Sequence, residues 1–204
     1  MQLQISRMLQ EGTFDRIGAV AELKRSPYFS LLTEAYEKLR TGLLYRSKYH
    51  GTDHIERVML LGAVIAQQQN FSLREAELLL IGCSYHDIGR IDDSKDDRHG
   101  KRSADAIASI PGLDLSPEEL KCIQAAVATH STKDTRIDSF AGEYGVPDEY
   151  MDLCRRLCRG LKDADNLDRV RIGDLDIRHL RFAESRRMKP LAEEIYQLGK
   201  GRGK

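Results

Sequence analysis

Apolar residues recur three and four positions apart along most of the chain, the spacing of a helix with one buried face. Over residues 28–49, Leu31, Leu32, Ala35, Leu39 and Leu43 keep this spacing behind the start signal Ser26-Pro27, which predicts a helix there. Gly51 interrupts it, and Thr52 or Asp53 can cap a second helix reaching Ala66, with Ile55, Val58, Met59, Gly62 and Ile65 on one side. Ser72 opens a third, Leu73 to Tyr85, whose Ala76, Leu78, Leu79, Leu80 and Cys83 make it apolar enough to be central. Residues 88–99 read as a polar, aspartate-rich loop. A short helix from Gly100 to Ile110 stops at Pro111-Gly112. Ser116-Pro117-Glu118-Glu119 then starts a helix running to His130, with Ser at the cap, Pro at the first position and Glu at the third. A second polar loop covers 131–146. A helix from Asp148 carries Met151, Leu153, Leu157 and Leu161 towards Asp165 and Leu167, and a last helix covers roughly 178–198 before a Gly- and Lys-rich tail that reads as frayed. No alternating strand pattern, internal repeat or dividing linker interrupts this series. The expectation is an all-α fold, a single helical domain over 1–204.

Composition changes the picture by exclusion. Hydrophobic residues at 41% and charged residues at 31% suit a soluble globular protein. Lys plus Arg and Asp plus Glu are both 32, so the net charge is zero, which argues against a nucleic-acid polymer as partner. The N-terminus lacks the apolar stretch of a signal peptide and no window has the length of a membrane span, so a cytoplasmic location is expected. Cys83, Cys122, Cys154 and Cys158 form no CxxC pair and read as small packing residues in a reducing compartment.

The chemistry is concentrated where histidines and aspartates meet predicted helix ends. His86-Asp87 terminates the most apolar helix, where a buried polar pair is costly unless something occupies it. His54 lies in the first turn of one helix, His99 closes the acidic loop, His130 ends the capped helix, and Asp165 ends the long one. Imidazole nitrogen together with carboxylate oxygen suits Mn, Fe, Co or Zn, whereas Ca and Mg sites are usually all-oxygen. His50, four before His54, could share a zinc with it, but Gly51 intervenes and the HExxH glutamate is missing, so a metalloprotease is not expected. Asp92, Asp93, Asp96 and Asp97 read as a solvated loop, and His179 as a solvated helix residue.

In this order the blocks resemble the HD-domain superfamily. Asp53-His54-Ile55-Glu56-Arg57-Val58 is similar to its first histidine block and Tyr85-His86-Asp87-Ile88-Gly89-Arg90 to its His-Asp doublet. His99-Gly100 with Ser103-Ala104, then Ala128-Thr129-His130, then Asp163-Ala164-Asp165-Asn166-Leu167-Asp168, resemble the elements that follow. The resemblance implies a helical bundle with a metal-binding core over about 50–170, N- and C-terminal helices packing on it, and His54, His86, Asp87 and Asp165 as metal ligands. It places Asp163 behind Asp165. His99 and His130 match the extra histidines of two-metal members, which implies one or two ions with Asp87 as the bridge; a short Asp87–His99 interval leaves phosphate contact as the other role for His99.

The implied activity is a phosphohydrolase acting on a phosphate ester or anhydride, with a nucleotide or other small phosphorylated metabolite as substrate. Asp87 would orient or deprotonate the water, and Arg90 would neutralise developing charge. Among Arg57, Arg90, Lys101, Arg102, Lys133, Arg169 and Arg171, the substrate-binding candidates are Arg90, Arg169 and Lys101. Arg169 is expected on the helix face of Asp165, four residues on. Two rival readings are a dinuclear-iron oxygenase of the same superfamily and a nucleotide-binding regulatory module.

Overall fold

The computed structural model describes residues 3–200. Its α-helices are α1 (Gln4–Gln10), α2 (Gly18–Lys24), α3 (Pro27–Lys38), α4 (Thr52–Gln68), α5 (Leu73–Tyr85), α6 (His99–Ile107), α7 (Pro117–Thr129), α8 (Ile137–Glu143), α9 (Met151–Leu167) and α10 (Lys189–Lys200), joined by short 3-10 turns, with no strand among the described residues. The fold is all-α, as the periodicity predicts. No helix among the described residues is long and apolar enough to cross a membrane.

The axis of the bundle is α4, whose residues from His54 to Ala66 are all buried. A helix covered on every side needs neighbours on every side, and α3, α5 and α9 pack against it, with α1, α2 and α10 closing the remaining flank. α5 also meets α7, and α7 pairs with α6, α8 and α9. One continuous apolar cluster runs from Ile5 to Ile195 through all of these helices and holds Cys83, Cys122, Cys154 and Cys158, which are free and buried.

The two strongest helix starts form as their sequences dictate. Ser72 and Ser116 accept from the amides of Glu75 and Glu119, whose carboxylates bond back to the cap amides, closing a capping box on α5 and on α7. These boxes fix where each helix begins, and hence where it delivers its last residue.

Three elements depart from the periodicity. α3 ends at Lys38, because Leu39 and Leu44 turn into the core and Arg40 bonds the Pro111 carbonyl at 2.7 Å. The polar stretch 131–146 contains α8, which buries Phe140 and Ala141. The helix expected over 178–198 begins only at Lys189: the amides of Arg181 and Phe182 are taken by the buried Asp163 carboxylate at 2.8–3.0 Å, which draws Leu180 into the core and breaks the segment into 3-10 turns. The expected frayed tail enters α10 at Gly199 and Lys200; its remaining residues lie outside the described range.

The loop after the doublet packs closely on α6. A Cβ on Gly89 would stand 2.4 Å from the Ser103 amide nitrogen and 2.7 Å from the His99 carbonyl oxygen. Both are backbone atoms with no room to yield. Gly89→Ala is expected to cost about 1–3 kcal/mol, read as a lowered midpoint in a denaturant melt.

Behind the doublet, Lys162 is buried on α9 and ties down the end of α7. Its Nζ donates to the carbonyls of Thr129 and Thr132 at 3.0 and 2.6 Å and pairs with Asp134 at 3.0 Å. Burial lowers its pKa, and Asp134 opposes that shift. Lys162→Met leaves these acceptors without a donor, and a loss of about 1–3 kcal/mol is expected. Burial would raise the Asp134 carboxyl, but Arg181 and Lys162 hold it at about 2. With the folded pKa below the unfolded one, the Asp134 contribution is complete above about pH 4 and is lost as the pH falls through the folded value. The gap between wild type and variant should therefore narrow in acid, as measured by denaturant melts at a series of pH values.

Candidate metal centre

Five helix ends converge on one buried point. α4 brings His54 in its first turn, α5 hands over to His86-Asp87, α6 begins with His99, α7 hands over to His130, and α9 carries Asp165 in its last turn. His54, His86, Asp87, His99 and His130 are all buried.

The Asp87 carboxylate sits between two sets of imidazoles. Its Oδ2 lies 3.7 Å from His54 Nε2 and 3.8 Å from His86 Nε2, and its Oδ1 lies 3.2 Å from His99 Nε2 and 3.5 Å from His130 Nε2. Asp165 Oδ1 completes the first set, 3.5 Å from His54 Nε2 and 3.7 Å from His86 Nε2. His54 Nε2 and His86 Nε2 are 3.2 Å apart, and His99 Nε2 and His130 Nε2 are 2.9 Å apart. Three overlapping groups, His54-His86-Asp87, His86-His130-Asp165 and Asp87-His99-His130, have ligand-type atoms close enough to share an ion.

The outer nitrogens decide what the inner ones can do. His86 Nδ1 faces the Cys83 carbonyl at 2.9 Å, His130 Nδ1 the Val127 carbonyl at 2.6 Å, and His99 Nδ1 the Asp96 carbonyl, each three residues back along the chain. His54 Nδ1 faces Asp168 Oδ2 at 2.8 Å. Carbonyls and carboxylates only accept, so each Nδ1 carries the proton and each Nε2 of a neutral ring presents a lone pair. Burial, with help from Arg171, lowers His54 to about 4 against the pull of Asp168, which keeps that ring neutral near pH 7.

The result is a pocket into which four imidazole lone pairs and two carboxylates point. Asp87 Oδ1 is buried and has no hydrogen-bond donor among the described residues. Burial alone would raise the Asp87 and Asp165 carboxyls. Positive charge in the surrounding cluster, at His86 foremost, holds both below the ordinary range, and with the rings neutral that charge has to come from a cation. Acceptors turned on one another repel unless a cation lies among them, and the mixed nitrogen and oxygen set fits a divalent transition metal. The outward Nδ1–H bonds are the arrangement that fixes tautomer and ring orientation in metal sites.

Arg90 stands at the edge, its Nε 2.9 Å from Asp87 Oδ2 but out of line for a hydrogen bond. Lys101 and Arg169, expected at the site, are engaged elsewhere. Lys101 pairs with Glu143 at 2.5 Å. Arg169 pairs with Asp174, because α9 ends at Leu167 and a 3-10 turn over Asp168–Arg171 carries it off the Asp165 face. Asp163, two residues from Asp165 and so about 200° round the helix, faces away to hold Arg181 and Phe182. His50 bonds Asp93 at 2.9 Å, Asp96 pairs with Arg102, and His179 is exposed.

One functional residue escaped the sequence reading. Asp168 is buried and accepts from His54 Nδ1 and, at 2.6 and 3.0 Å, from the Arg57 guanidinium, with Arg171 at 3.4 Å. Burial would raise its carboxyl, but His54 and Arg57 hold it below the ordinary value, so it stays an acceptor. Its only sequence signal is its place in the Asp163–Asp168 block, since His54 and Arg57 lie more than a hundred residues earlier.

No curated protein and no solved structure matches the chain. The family model for the HD domain matches residues 51–170, which spans α4 to the turn after α9 and includes all six candidate ligands together with Asp168. The chain therefore belongs to the HD-domain family, a superfamily of metal-dependent hydrolases.

Proposed function

We propose that this protein is a metal-dependent phosphohydrolase that cleaves a phosphate ester or anhydride in a nucleotide or other small phosphorylated metabolite. The observation that carries the proposal is the buried pocket of four inward-facing imidazole nitrogens and two carboxylates, with a guanidinium at its edge. His54, His86, Asp87 and Asp165 would hold one divalent ion, Mn, Fe, Co or Zn, and His99 and His130, sharing Asp87, a second. Such ions polarise a phosphoryl oxygen and lower the pKa of water towards neutrality.

The chain's own groups supply position and charge. The Nδ1–H anchors hold the four rings fixed, so little reorganisation is needed as charge develops. Asp87, kept ionised between the two imidazole sets, is placed to orient a water molecule and accept its proton. Arg90 is the cation at the centre itself and would neutralise the phosphoryl oxygens in the transition state. The balanced net charge supports a small substrate over a nucleic-acid polymer.

Elemental analysis of the native protein, followed by a nucleotide and phosphodiester screen, tests the proposal. One or two transition-metal ions per chain are expected, with turnover under nitrogen that a chelator abolishes and added manganese restores. Turnover that requires oxygen, with a mixed-valence iron signal, would make the protein a dinuclear-iron oxygenase. A metal-free protein that stays silent with every metal added would make it a nucleotide-binding module.

A further inference from the structure

A cavity of about 570 Å³ opens beside the metal centre, with two cations in its wall. Its wall includes His54, Thr52 and Asp53 from the start of α4, and Arg46, Ser47 and Lys48 from the loop before it. The volume is that of a small-molecule site, and His54 belongs to both the cavity and the ligand cluster.

Of the cations nearest the centre, Arg57 and Arg171 are paired with Asp168, and Arg90, beside Asp87, serves the phosphoryl group at the cluster. Arg46 and Lys48 are exposed and have no ion-pair partner among the described residues; Lys48 only overlies the Tyr49 ring. The backbone that carries them is nevertheless fixed. Ser47 Oγ accepts from the amides of Tyr49 and His50 at 3.1 and 2.7 Å, and the Tyr49 carbonyl accepts from Arg171 at 2.9 Å. Gly51 packs so closely that a Cβ there would stand 2.3 Å from the Ser47 carbonyl oxygen. Gly51 is also the cap of α4 and brings no side chain over the first turn, so the positive end of a long helix faces the same space. Among the described residues of the wall, the one carboxylate, Asp53, is outnumbered by the two cations.

We infer that this cavity is a subsite for a second phosphate group, so that the preferred substrate carries at least two, as in a nucleoside polyphosphate or a dinucleotide. The inference rests on the phosphohydrolase reading and deepens it. One phosphoryl group lies at the six-residue cluster, and its neighbour along the substrate is held by Arg46 and Lys48. A monophosphate reaches the cluster and leaves these two cations unused.

Binding can be read without turnover, using methylenediphosphonate and methylphosphonate, which carry two phosphoryl groups and one and have no P–O–P bridge to cleave. Calorimetric titration of the metal-loaded full chain should show Arg46→Ala/Lys48→Ala weakening the diphosphonate by about 10- to 100-fold, with methylphosphonate affinity and metal content unchanged. Both side chains are exposed, so the variant is expected to fold. Equal weakening of the two ligands, or of neither, would overturn the inference. Selective loss in a protein that hydrolyses no phosphate compound would keep the subsite and remove the hydrolase. Unchanged diphosphonate binding in a variant that still hydrolyses monophosphates would do the reverse.

Discussion

Asp87→Ala is expected to lose metal and activity together, with turnover down by at least about 10³-fold, while the helical circular dichroism signal is retained. Its two oxygens face different imidazole sets, His54 with His86 on one side and His99 with His130 on the other. Removing the carboxylate therefore strips a ligand from both halves at once. His99→Ala touches only one half, so it should lower metal content by at most one ion per chain. Asp87→Asn keeps a carbonyl oxygen but not the charge or the proton-accepting oxygen, and should fall between wild type and alanine in metal content yet match alanine in turnover. Metal analysis beside single-turnover kinetics separates these outcomes. An Asp87→Ala protein that keeps both its metal and its turnover would show that the six-residue cluster is not the catalytic centre.

How much of this was legible in the sequence depended on whether the determining interaction was local. The starts of α5 and α7 were readable because a serine, a glutamate three residues on and, in α7, a proline at the first position settle them within one turn. With those starts known, His86-Asp87 and His130 fall at helix ends, and the cluster could be anticipated from chain order. α8 was hidden because Gly142 and Gly145 make its stretch read as loop, although Phe140 and Ala141 supply a short buried face. The C-terminal helix was placed too early because the Asp163 carboxylate, eighteen residues upstream of Arg181, captures amides that a helix would otherwise use. The misplacement of Arg169 has the same origin. Counting four residues on from Asp165 assumes a continuing α-helix, whereas the chain tightens to a 3-10 turn at Asp168. The cavity beside His54 follows from the early end of α3, which converts expected helix into the loop carrying Arg46 and Lys48.

Asp168 carries the second large effect, and there stability and metal binding are coupled through one carboxylate. Asp168→Ala leaves the buried Arg57 guanidinium without its counter-charge and leaves His54 Nδ1–H without an acceptor. Breaking a buried pair from one side typically costs about 3–5 kcal/mol. In a chain of this size that corresponds to a fall in melting temperature of about 6–20 °C. The His54 ring loses the contact that sets its tautomer, and metal affinity should drop by about 10- to 100-fold. The two consequences have different causes and can be separated. In Arg57→Met/Asp168→Leu the unpaired guanidinium is gone and apolar volume fills the site, so much of the lost stability should return. Metal affinity should not return, because His54 still lacks its acceptor. If the double variant recovers both, Asp168 serves His54 only by keeping the fold intact. If it recovers stability alone, the carboxylate positions the metal-facing nitrogen directly. Thermal melts of the metal-free protein, set beside competitive metal titrations of the same variants, distinguish the two.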